Sequence, residues 1–206
     1  MDISCIVLAG GKGERLGRNK ILHNVGGQTL LERVTWCLST FDSDIILVVA
    51  ADQLPPQLTG YPKLRAAVDV YPGKGPLVGI YTGLMASNTF YNIAVAGDMP
   101  FLNQALLRYL AEVSAGFDIV VPRFGDMVEP LHAIYSKGCL AAIEYLLERG
   151  ILRIDQLLGL LKVRYVGVEE IDWFDPGHLS FLNVNTEADL KKAREIEEVD
   201  KGHDKR

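Results

Sequence analysis

Short runs of β-branched and aliphatic residues alternate along this chain with longer amphipathic stretches. The runs predict strands over residues 3–9, 44–50, 66–69, 92–97, 117–122 and 131–135. The stretches predict helices over residues 30–41, 77–87, 104–114 and 137–149. Such alternation is typical of a parallel sheet that helices cover on both faces. We therefore predict an α/β fold, a single three-layer α/β/α domain built on a mostly parallel, twisted sheet.

The second half of the chain is less regular than the first. The strand predicted over Leu131–Tyr135 follows Ile119–Val121 across a polar loop. Residues 162–168 precede a segment rich in glycine, proline and aromatic residues, Trp173–His178. This arrangement predicts an antiparallel element in the second half of the sheet.

The C-terminal part is predicted to hold one more helix. Thr186 and Asp189 have the spacing of a capping box, which marks the start of a helix. Residues 197–206 are almost wholly polar and are predicted to form a frayed tail. The domain itself is predicted to span residues 1–196, because no repeat, linker or low-complexity stretch suggests a second one.

Composition and charge exclude several classes of function. The 206 residues are 49% hydrophobic, which suffices for one domain with a sizeable core. A net charge of −5 has the wrong sign for a dedicated nucleic-acid binder. The longest strongly apolar run, residues 45–51, is far shorter than the ~20 residues of a membrane helix. We therefore expect neither a nucleic acid nor a membrane as partner.

The three cysteines fit a reducing compartment. Cys5, Cys37 and Cys139 are odd in number, widely spaced and set among apolar residues. This pattern favours reduced packing residues over a disulfide framework or a zinc site. The apolar start at residues 3–9 leads into glycines and charges rather than into a cleavage site. We expect a cytoplasmic protein.

The loop after the first predicted strand is the first candidate for chemistry. Residues 8–20 read Leu-Ala-Gly-Gly-Lys-Gly-Glu-Arg-Leu-Gly-Arg-Asn-Lys. Glycines let backbone N–H groups approach an anion, and cations neutralise it, so this composition favours phosphate binding. A flexible, solvated loop is the alternative, and Lys12 and Arg18 equally suit solvated surface.

Two known glycine motifs do not fit this loop. A P-loop needs Gly, four residues and then Gly-Lys-Ser/Thr, and no glycine here has that spacing. A dinucleotide fingerprint starting at Gly11 and Gly13 meets Leu16 where it needs a third glycine. Walker-type hydrolysis is therefore excluded, and nicotinamide binding is the weaker hypothesis.

The same loop resembles the signature of a known family. The pattern Leu-Ala-Gly-Gly-x-x-x-Arg-Leu-Gly-x-x-Lys is similar to the loop of nucleotidyltransferases with an N-terminal nucleotide-binding fold, and in particular of molybdenum cofactor guanylyltransferases. Four later segments agree with that family in order: Asp69 with Gly75-Pro-Leu-Val-Gly79, Gly97-Asp-Met-Pro-Phe101, Pro130-Leu-His-Ala-Ile-Tyr135 and Asn183-Val-Asn-Thr186. The resemblance spans nearly the whole chain, from residue 3 to near residue 190.

The resemblance implies an activity. It implies transfer of GMP from MgGTP to the terminal phosphate of the molybdenum-pterin cofactor, with release of pyrophosphate. The implied cofactor is Mg²⁺, and the implied partners are GTP, molybdopterin or its molybdenum form, and molybdoenzyme maturation proteins. Two alternatives stay open: a sibling transferase that uses CTP or another NTP on a different phosphorylated acceptor, and a non-catalytic nucleotide-binding module.

The resemblance also assigns roles to individual residues. Catalytic roles fall to Arg15, Lys20 and Asp98, and the metal ligand is Asp98. Nucleotide binding falls to Leu8, Ala9, Gly10, Gly11, Lys20, Asp69 and Asp98, and acceptor binding to Asn183 and Asn185. The family's asparagine after the second strand is absent, since Ala50 stands in that stretch, and Gly97 replaces a cysteine, which we expect to matter little.

Each of these residues has a plainer interpretation beside the functional one. Asp98 suits Mg²⁺, which prefers hard oxygen ligands, but it also suits a turn or helix cap. Asp69 equally suits a turn. Asn183 and Asn185 suit a polar heterocycle such as a pterin, and equally suit the entry to the last helix. His132, within an apolar run, is interpreted as packed or hydrogen-bonded, because an ionised phosphate nucleophile has little need of a base.

Overall fold

The structure is a computed structural model that describes residues 2–9, 20–51, 55–56, 58–69, 71 and 74–203, with side chains described up to residue 199. Within those residues the strands are β1 Ile3–Leu8, β2 Asn24–Val25, β3 Gln28–Thr29, β4 Ile45–Val49, β5 Leu64–Val68, β6 Tyr91–Ala96, β7 Ile119–Phe124, β8 Met127–Val128, β9 His132–Ser136 and β10 Val163–Val166. The helices are α1 Leu30–Ser39, α2 Pro76–Ala86, α3 Gln104–Glu112, α4 Cys139–Glu148, α5 Ile154–Leu158, α6 Val168–Ile171 and α7 Glu187–His203. Short 3₁₀ turns lie at Lys20–Leu22 and Leu179–Phe181.

One sheet runs through the molecule in the order β10–β7–β9–β6–β1–β4–β5, and β8 pairs with β7 beside it. Strands β5, β4, β1 and β6 run parallel to one another, and β10 is parallel to β7. Strand β9 lies antiparallel between β6 and β7. This confirms the predicted fold class, with β8 and β9 as the antiparallel element. Strand β10, in contrast, is parallel.

Helices cover both faces of the sheet, so its central strands are buried throughout. All five residues of β4 are buried, and so are the first five of β1. One face packs against α1 and α3 through residues such as Leu38 and Leu107. The other face packs against α2 and α4 through residues such as Leu84 and Ile143. Two covered faces explain why these strands read as continuous apolar runs without alternation.

Two glycines bring α2 unusually close to β1. A Cβ built on Gly79 would lie 2.9 Å from Cδ2 of Leu8, and one built on Gly83 would lie 2.4 Å from Cγ2 of Ile6. Because residues four apart share a helix face, these glycines form a flat contact surface. The close packing fixes the start of α2, after Gly75, at the carboxyl end of the sheet.

The last helix is longer than the sequence predicts. Thr186 Oγ1 accepts from Asp189 N at 3.2 Å, and Asp189 Oδ2 accepts from Thr186 N at 2.8 Å, which confirms the capping box. Helix α7 then continues to His203, into the segment that was expected to fray. At the start of that segment, Glu197 forms an ion pair with Arg33 of α1 at 2.7 Å.

The three cysteines are free and buried, as predicted for packing residues. Burial raises the pKa of each of these thiols to about 12, so none carries thiolate character at neutral pH. Among the described residues, no helix combines the length and the apolar character that a membrane crossing requires.

Candidate active site

The candidate site lies where β1 and β6 end side by side. Ala9 N donates to Val48 O at 2.9 Å, and Gly97 N donates to Leu8 O at 3.0 Å, so the backbone after both strands is held in register. A Cβ on Gly97 would lie 3.3 Å from Leu8 O, which leaves a larger residue little room. Ligands of open α/β sheets bind at this carboxyl edge.

The signature loop follows Ala9. Gly10, Gly11 and Arg15, together with Lys12 and Arg18, lie outside the described residues. Lys20, the last residue of the signature loop, opens the first 3₁₀ turn and is described. The described part of the site therefore consists of Lys20 and the segments that contact it.

Three polar side chains from distant parts of the chain converge on one point. Lys20 Nζ lies 2.5 Å from Asp98 Oδ2 and 2.8 Å from Asn185 Oδ1. The backbone supports the same contact, since Val184 N donates to Asp98 O at 3.0 Å. The structure thus brings together a loop cation, a carboxylate after β6 and an amide before α7, which we call the Lys20–Asp98–Asn185 cluster.

Asp98 is nearly inaccessible within this cluster. The residue is 6% exposed, and its Oδ1 is buried with no hydrogen-bond partner among the described residues. A buried carboxylate oxygen without a partner is costly, and it marks a position that another ligand completes. A carboxylate in this position can hold a hard divalent cation such as Mg²⁺.

The donor set around Asp98 agrees with a sparsely held metal. Among the described residues, no group of three or more His, Cys, Asp and Glu side chains could hold a metal ion. Mg²⁺ commonly takes only one or two protein carboxylates and fills its shell with water and substrate phosphates. A single buried carboxylate beside the signature loop suits that mode of binding.

Asn185 and Asn183 occupy different surroundings. Asp189 Oδ2 accepts from Asn185 N at 3.0 Å, so the cap of α7 fixes the backbone from which the Asn185 side chain reaches Lys20. Asp189 also accepts hydrogen bonds from the Thr186 hydroxyl and the Thr186 backbone. Together these hydrogen bonds lower the pKa of Asp189, and the one from the Thr186 hydroxyl has the largest effect. Asn183 Nδ2 instead donates to Phe181 O at 3.2 Å. Asn185 thus belongs to the cluster, whereas Asn183 makes a local contact.

Asp69 lies at the same edge but away from the cluster. It follows β5, three strand positions from β6, and that spacing amounts to roughly 14 Å. Its Oδ1 accepts from Tyr71 N at 3.0 Å, which is the pattern of an Asx turn. The structure therefore brings Lys20 and Asp98 together. Asp69 lies farther away, at a separation similar to the length of a nucleotide.

His132 is a packed residue, in line with its interpretation from sequence. The side chain is fully buried, its ring lies 4.8 Å from that of Phe181, and neither ring nitrogen has a hydrogen-bond partner within the described part of the chain. Burial lowers the pKa of His132 to about 4, and the nearby Asp175 offsets this only in part. The imidazole is therefore neutral at physiological pH and has no path to solvent.

Two residues near the site escaped the sequence analysis. Arg33 Nε donates to Pro100 O at 3.2 Å, and the guanidinium carbon lies 5.2 Å from the centre of the Phe101 ring, so Arg33 braces the segment after Asp98. Asp175 is buried and accepts from Ser180 N at 2.9 Å, which shapes the turn before Asn183. Both act on backbone groups, so neither leaves a motif in the sequence.

Comparison with known proteins agrees with this site. The family model described as a MobA-like NTP transferase domain matches residues 5–162, which include Lys20, Asp69 and Asp98. The chain belongs to the MobA-like NTP transferase family. Its members transfer nucleotidyl groups, and this chain is a nucleotidyltransferase of that family.

Named relatives of this MobA-like chain match along almost its whole length. It is 36% identical to a probable molybdenum cofactor guanylyltransferase of Pelotomaculum thermopropionicum, with 94% of this chain and 92% of the relative covered. It is 39% identical to a protein of the same name from Methanosarcina mazei, with 91% and 88% covered.

A solved structure shares the fold as well as the sequence. The crystal structure of molybdopterin-guanine dinucleotide biosynthesis protein A from Archaeoglobus fulgidus is 32% identical to this MobA-like chain and superposes with a TM-score of 0.81. The match covers 94% of this chain and 97% of that one. The correspondence therefore extends past the family model to the segment that carries Asn183 and Asn185.

Proposed function

We propose that this protein is a molybdenum cofactor guanylyltransferase, which transfers GMP from GTP to the terminal phosphate of molybdopterin or its molybdenum form and releases pyrophosphate. The observation that carries the proposal is the Lys20–Asp98–Asn185 cluster at the carboxyl edge of the sheet. The relatives of that name, which match over nine-tenths of the chain, supply the choice of substrates.

The reaction requires an in-line attack on the α-phosphate of GTP while two anions are held close together. In this proposal the backbone of Leu8, Ala9, Gly10 and Gly11 cradles the nucleotide. Lys20 and Arg15 bind the triphosphate, the lysine as a point charge and the arginine as a fork of donors. These cations neutralise charge as it moves onto the leaving pyrophosphate.

Asp98 is proposed to hold the divalent metal, with Mg²⁺ as the expected ion. When bound, the ion supplies charge neutralisation between the phosphates of the substrate. The buried Oδ1 of Asp98, which has no hydrogen-bond partner among the described residues, supports this assignment. Asn185 contacts Lys20 and orients its ammonium group toward Asp98.

No side chain is assigned as a general base. The terminal phosphate of the acceptor is already ionised at neutral pH, so the nucleophile needs no deprotonation. His132 has no route to a substrate because it is fully buried and its pKa is lowered to about 4. The chain's contribution to the chemistry is therefore positioning and charge stabilisation.

The positions of three further residues decide which substrate each is assigned to bind. Asp69 lies at the same edge as the cluster, three strands from β6, and we assign it to the nucleoside part of GTP. Asn183 and Asn185 precede α7 beside the cluster, and we assign them to the acceptor side. The protein is assigned to the cytoplasm, where its own three free thiols stay reduced. There its product passes to molybdoenzyme maturation proteins.

A panel of nucleotides tests the proposal. Purified protein is incubated with Mg²⁺, molybdopterin or its molybdenum form, and GTP, CTP, ATP or UTP, and pyrophosphate release is followed. We expect GTP to be preferred, because Gly10 lacks a Cβ and leaves room for a purine beside the loop. Omission of the acceptor is the control and should abolish release. CTP or ATP used as efficiently as GTP would contradict the guanylyl assignment.

A further inference from the structure

We propose that Lys20 acts as a stand-in cation that blocks Asp98 in the ligand-free site and releases it to a divalent metal only when phosphate arrives. The inference concerns the order in which metal and nucleotide enter. It rests on the proposed function in two respects, the assignment of Asp98 as the metal ligand and the binding of phosphates by the signature loop. The protein would then exclude free metal ions and accept a metal together with a polyphosphate.

The position of the lysine is the first argument. Its ammonium nitrogen sits between two oxygens, 2.5 Å from Asp98 Oδ2 and 2.8 Å from Asn185 Oδ1. A carboxylate and an amide carbonyl are both hard oxygen donors of the kind that divalent cations prefer. The ammonium thus makes the contacts that a bound cation would make.

The accessibility of Asp98 is the second argument. Its side chain is 8% exposed and Oδ1 is buried, so the carboxylate presents little surface to solvent while Lys20 is in place. The remaining oxygen, Oδ2, is covered by the lysine. A metal ion that approaches from solvent therefore meets the ammonium group before it meets the carboxylate.

The chemistry of the lysine makes the movement feasible. The side chain of Lys20 is 20% exposed, and lysine carries its charge on a flexible four-carbon stem. A triphosphate offers several negative charges, whereas Asp98 offers one. Phosphates bound by the signature loop would therefore draw the ammonium from the carboxylate, and Asp98 would become free at the moment when a metal–phosphate complex is present.

Loss of the Lys20 charge should have opposite effects on two kinds of binding. Removal of the lysine should impair triphosphate binding but strengthen the binding of metal alone. The test titrates Mn²⁺ into nucleotide-free protein and follows free Mn²⁺ by electron paramagnetic resonance. We expect Lys20→Met to bind Mn²⁺ on the order of tenfold more tightly than the unmodified protein, because a like charge has left the site. Lys20→Gln, a second neutral variant, should behave alike.

Two controls make the titration specific. Lys63→Met removes a solvent-exposed ion pair, Lys63 with Asp42 at 2.6 Å, at the opposite edge of the sheet and should leave Mn²⁺ affinity unchanged. The double variant Lys20→Met/Asp98→Asn should lose the gain. A gain that persists without the Asp98 carboxylate, or equal Mn²⁺ affinity in Lys20→Met and unmodified protein, would overturn the proposal.

A second measurement observes the lysine itself. In protein labelled with ¹⁵N at lysine Nζ, the Lys20 signal is the one missing from Lys20→Met. Mg²⁺ with inorganic tripolyphosphate should shift this signal, and Mg²⁺ alone should leave it in place. An equal shift with Mg²⁺ alone would refute the exchange. Neither measurement contains GTP or a pterin, so failure of guanylyl transfer would leave both results interpretable.

Discussion

Arg33 Nη2 lies 2.7 Å from Glu197 Oε2, and this ion pair joins helix α1 to the second half of helix α7. The same guanidinium donates to Pro100 O, two residues after Asp98. Side chains of Val25, Leu30, Val184 and Leu190 form a small core beneath the contact, with Phe101 packed against it. The C-terminal helix is therefore part of the support of the candidate site.

Arg33→Met is expected to lower the free energy of unfolding by about 2 kcal/mol, because it removes a part-buried ion pair and a hydrogen bond to Pro100 O. Urea denaturation measures the change. Glu197→Gln should cost less, since the amide still accepts from Arg33. A double-mutant cycle with zero coupling between the two positions would show that the pair makes no contribution.

Gly83→Ala is expected to destabilise the domain by about 1–3 kcal/mol through overpacking. Its Cβ would lie 2.4 Å from Cγ2 of Ile6, deep between α2 and β1. Gly159→Ala is the matched control, because its Cβ would meet only Gln156 O at an ordinary 3.6 Å. Thermal denaturation of both variants checks the difference. Equal melting temperatures would mean that α2 does not pack on β1 as closely as described.

His132 should make the domain less stable in acid. Its pKa is lowered to about 4 in the folded protein from a usual value near 6.5, so the unfolded chain binds the extra proton first. Stability from this residue is complete above pH 6.5 and is lost as the pH falls toward 4, by up to about 3 kcal/mol. Urea midpoints measured between pH 4.5 and 7.5 test the slope.

His132→Leu should flatten that slope, since leucine fills the same apolar site without a proton to bind. Tyr135→Phe is the control. It removes the hydrogen bond from Tyr135 Oη to Pro130 O at 2.8 Å and should lower stability equally across this pH range, because burial raises the pKa of Tyr135. An unchanged slope in His132→Leu would place the acid sensitivity in other groups.

Long, strongly patterned elements of the fold were predictable, and short ones were not. Strand β1 and the helices α1, α3 and α4 all lie within the predicted ranges, and α2 begins one residue before its predicted start. The hairpin of β2 and β3 was missed, although Gly26 and Gly27 both have positive φ, as a tight two-residue turn requires. Strands of two residues are too short to show alternation. Helices α5 and α6, of five and four residues, escaped for the same reason.

The site was predictable where a motif carried it. Lys20 and Asp98 were singled out from loops that follow two strands, and the parallel pairing of β1 with β6 brings those loops together. The contact of Asn185 with Lys20 depends on tertiary structure across most of the chain, so the sequence pattern could not distinguish it from Asn183. Arg33 reads as an ordinary polar position of an amphipathic helix, since its partners are backbone carbonyls and a distant glutamate.

Asp98→Asn is expected to reduce turnover by ~10²-fold or more with the fold intact, because the amide keeps the size of the side chain and loses its charge. Steady-state pyrophosphate release measures the effect. Asp42→Asn is the matched control, since it alters the exposed Asp42–Lys63 pair at the opposite edge of the sheet and should leave turnover unchanged. Near-normal turnover of Asp98→Asn would remove this carboxylate from the reaction.

Lys20→Ala is expected to weaken the binding of GTP more than that of GMP. We assign the ammonium group to the β- and γ-phosphates, which GMP lacks, so only the triphosphate should lose a charged contact. Isothermal titration with both nucleotides at two salt concentrations checks this. The difference between unmodified protein and variant should shrink at high salt, because screening acts on the charged contact more than on recognition of the base. Lys63→Ala serves as the control with the same side-chain truncation at a remote pair. Equal losses for GTP and GMP would place Lys20 away from the terminal phosphates.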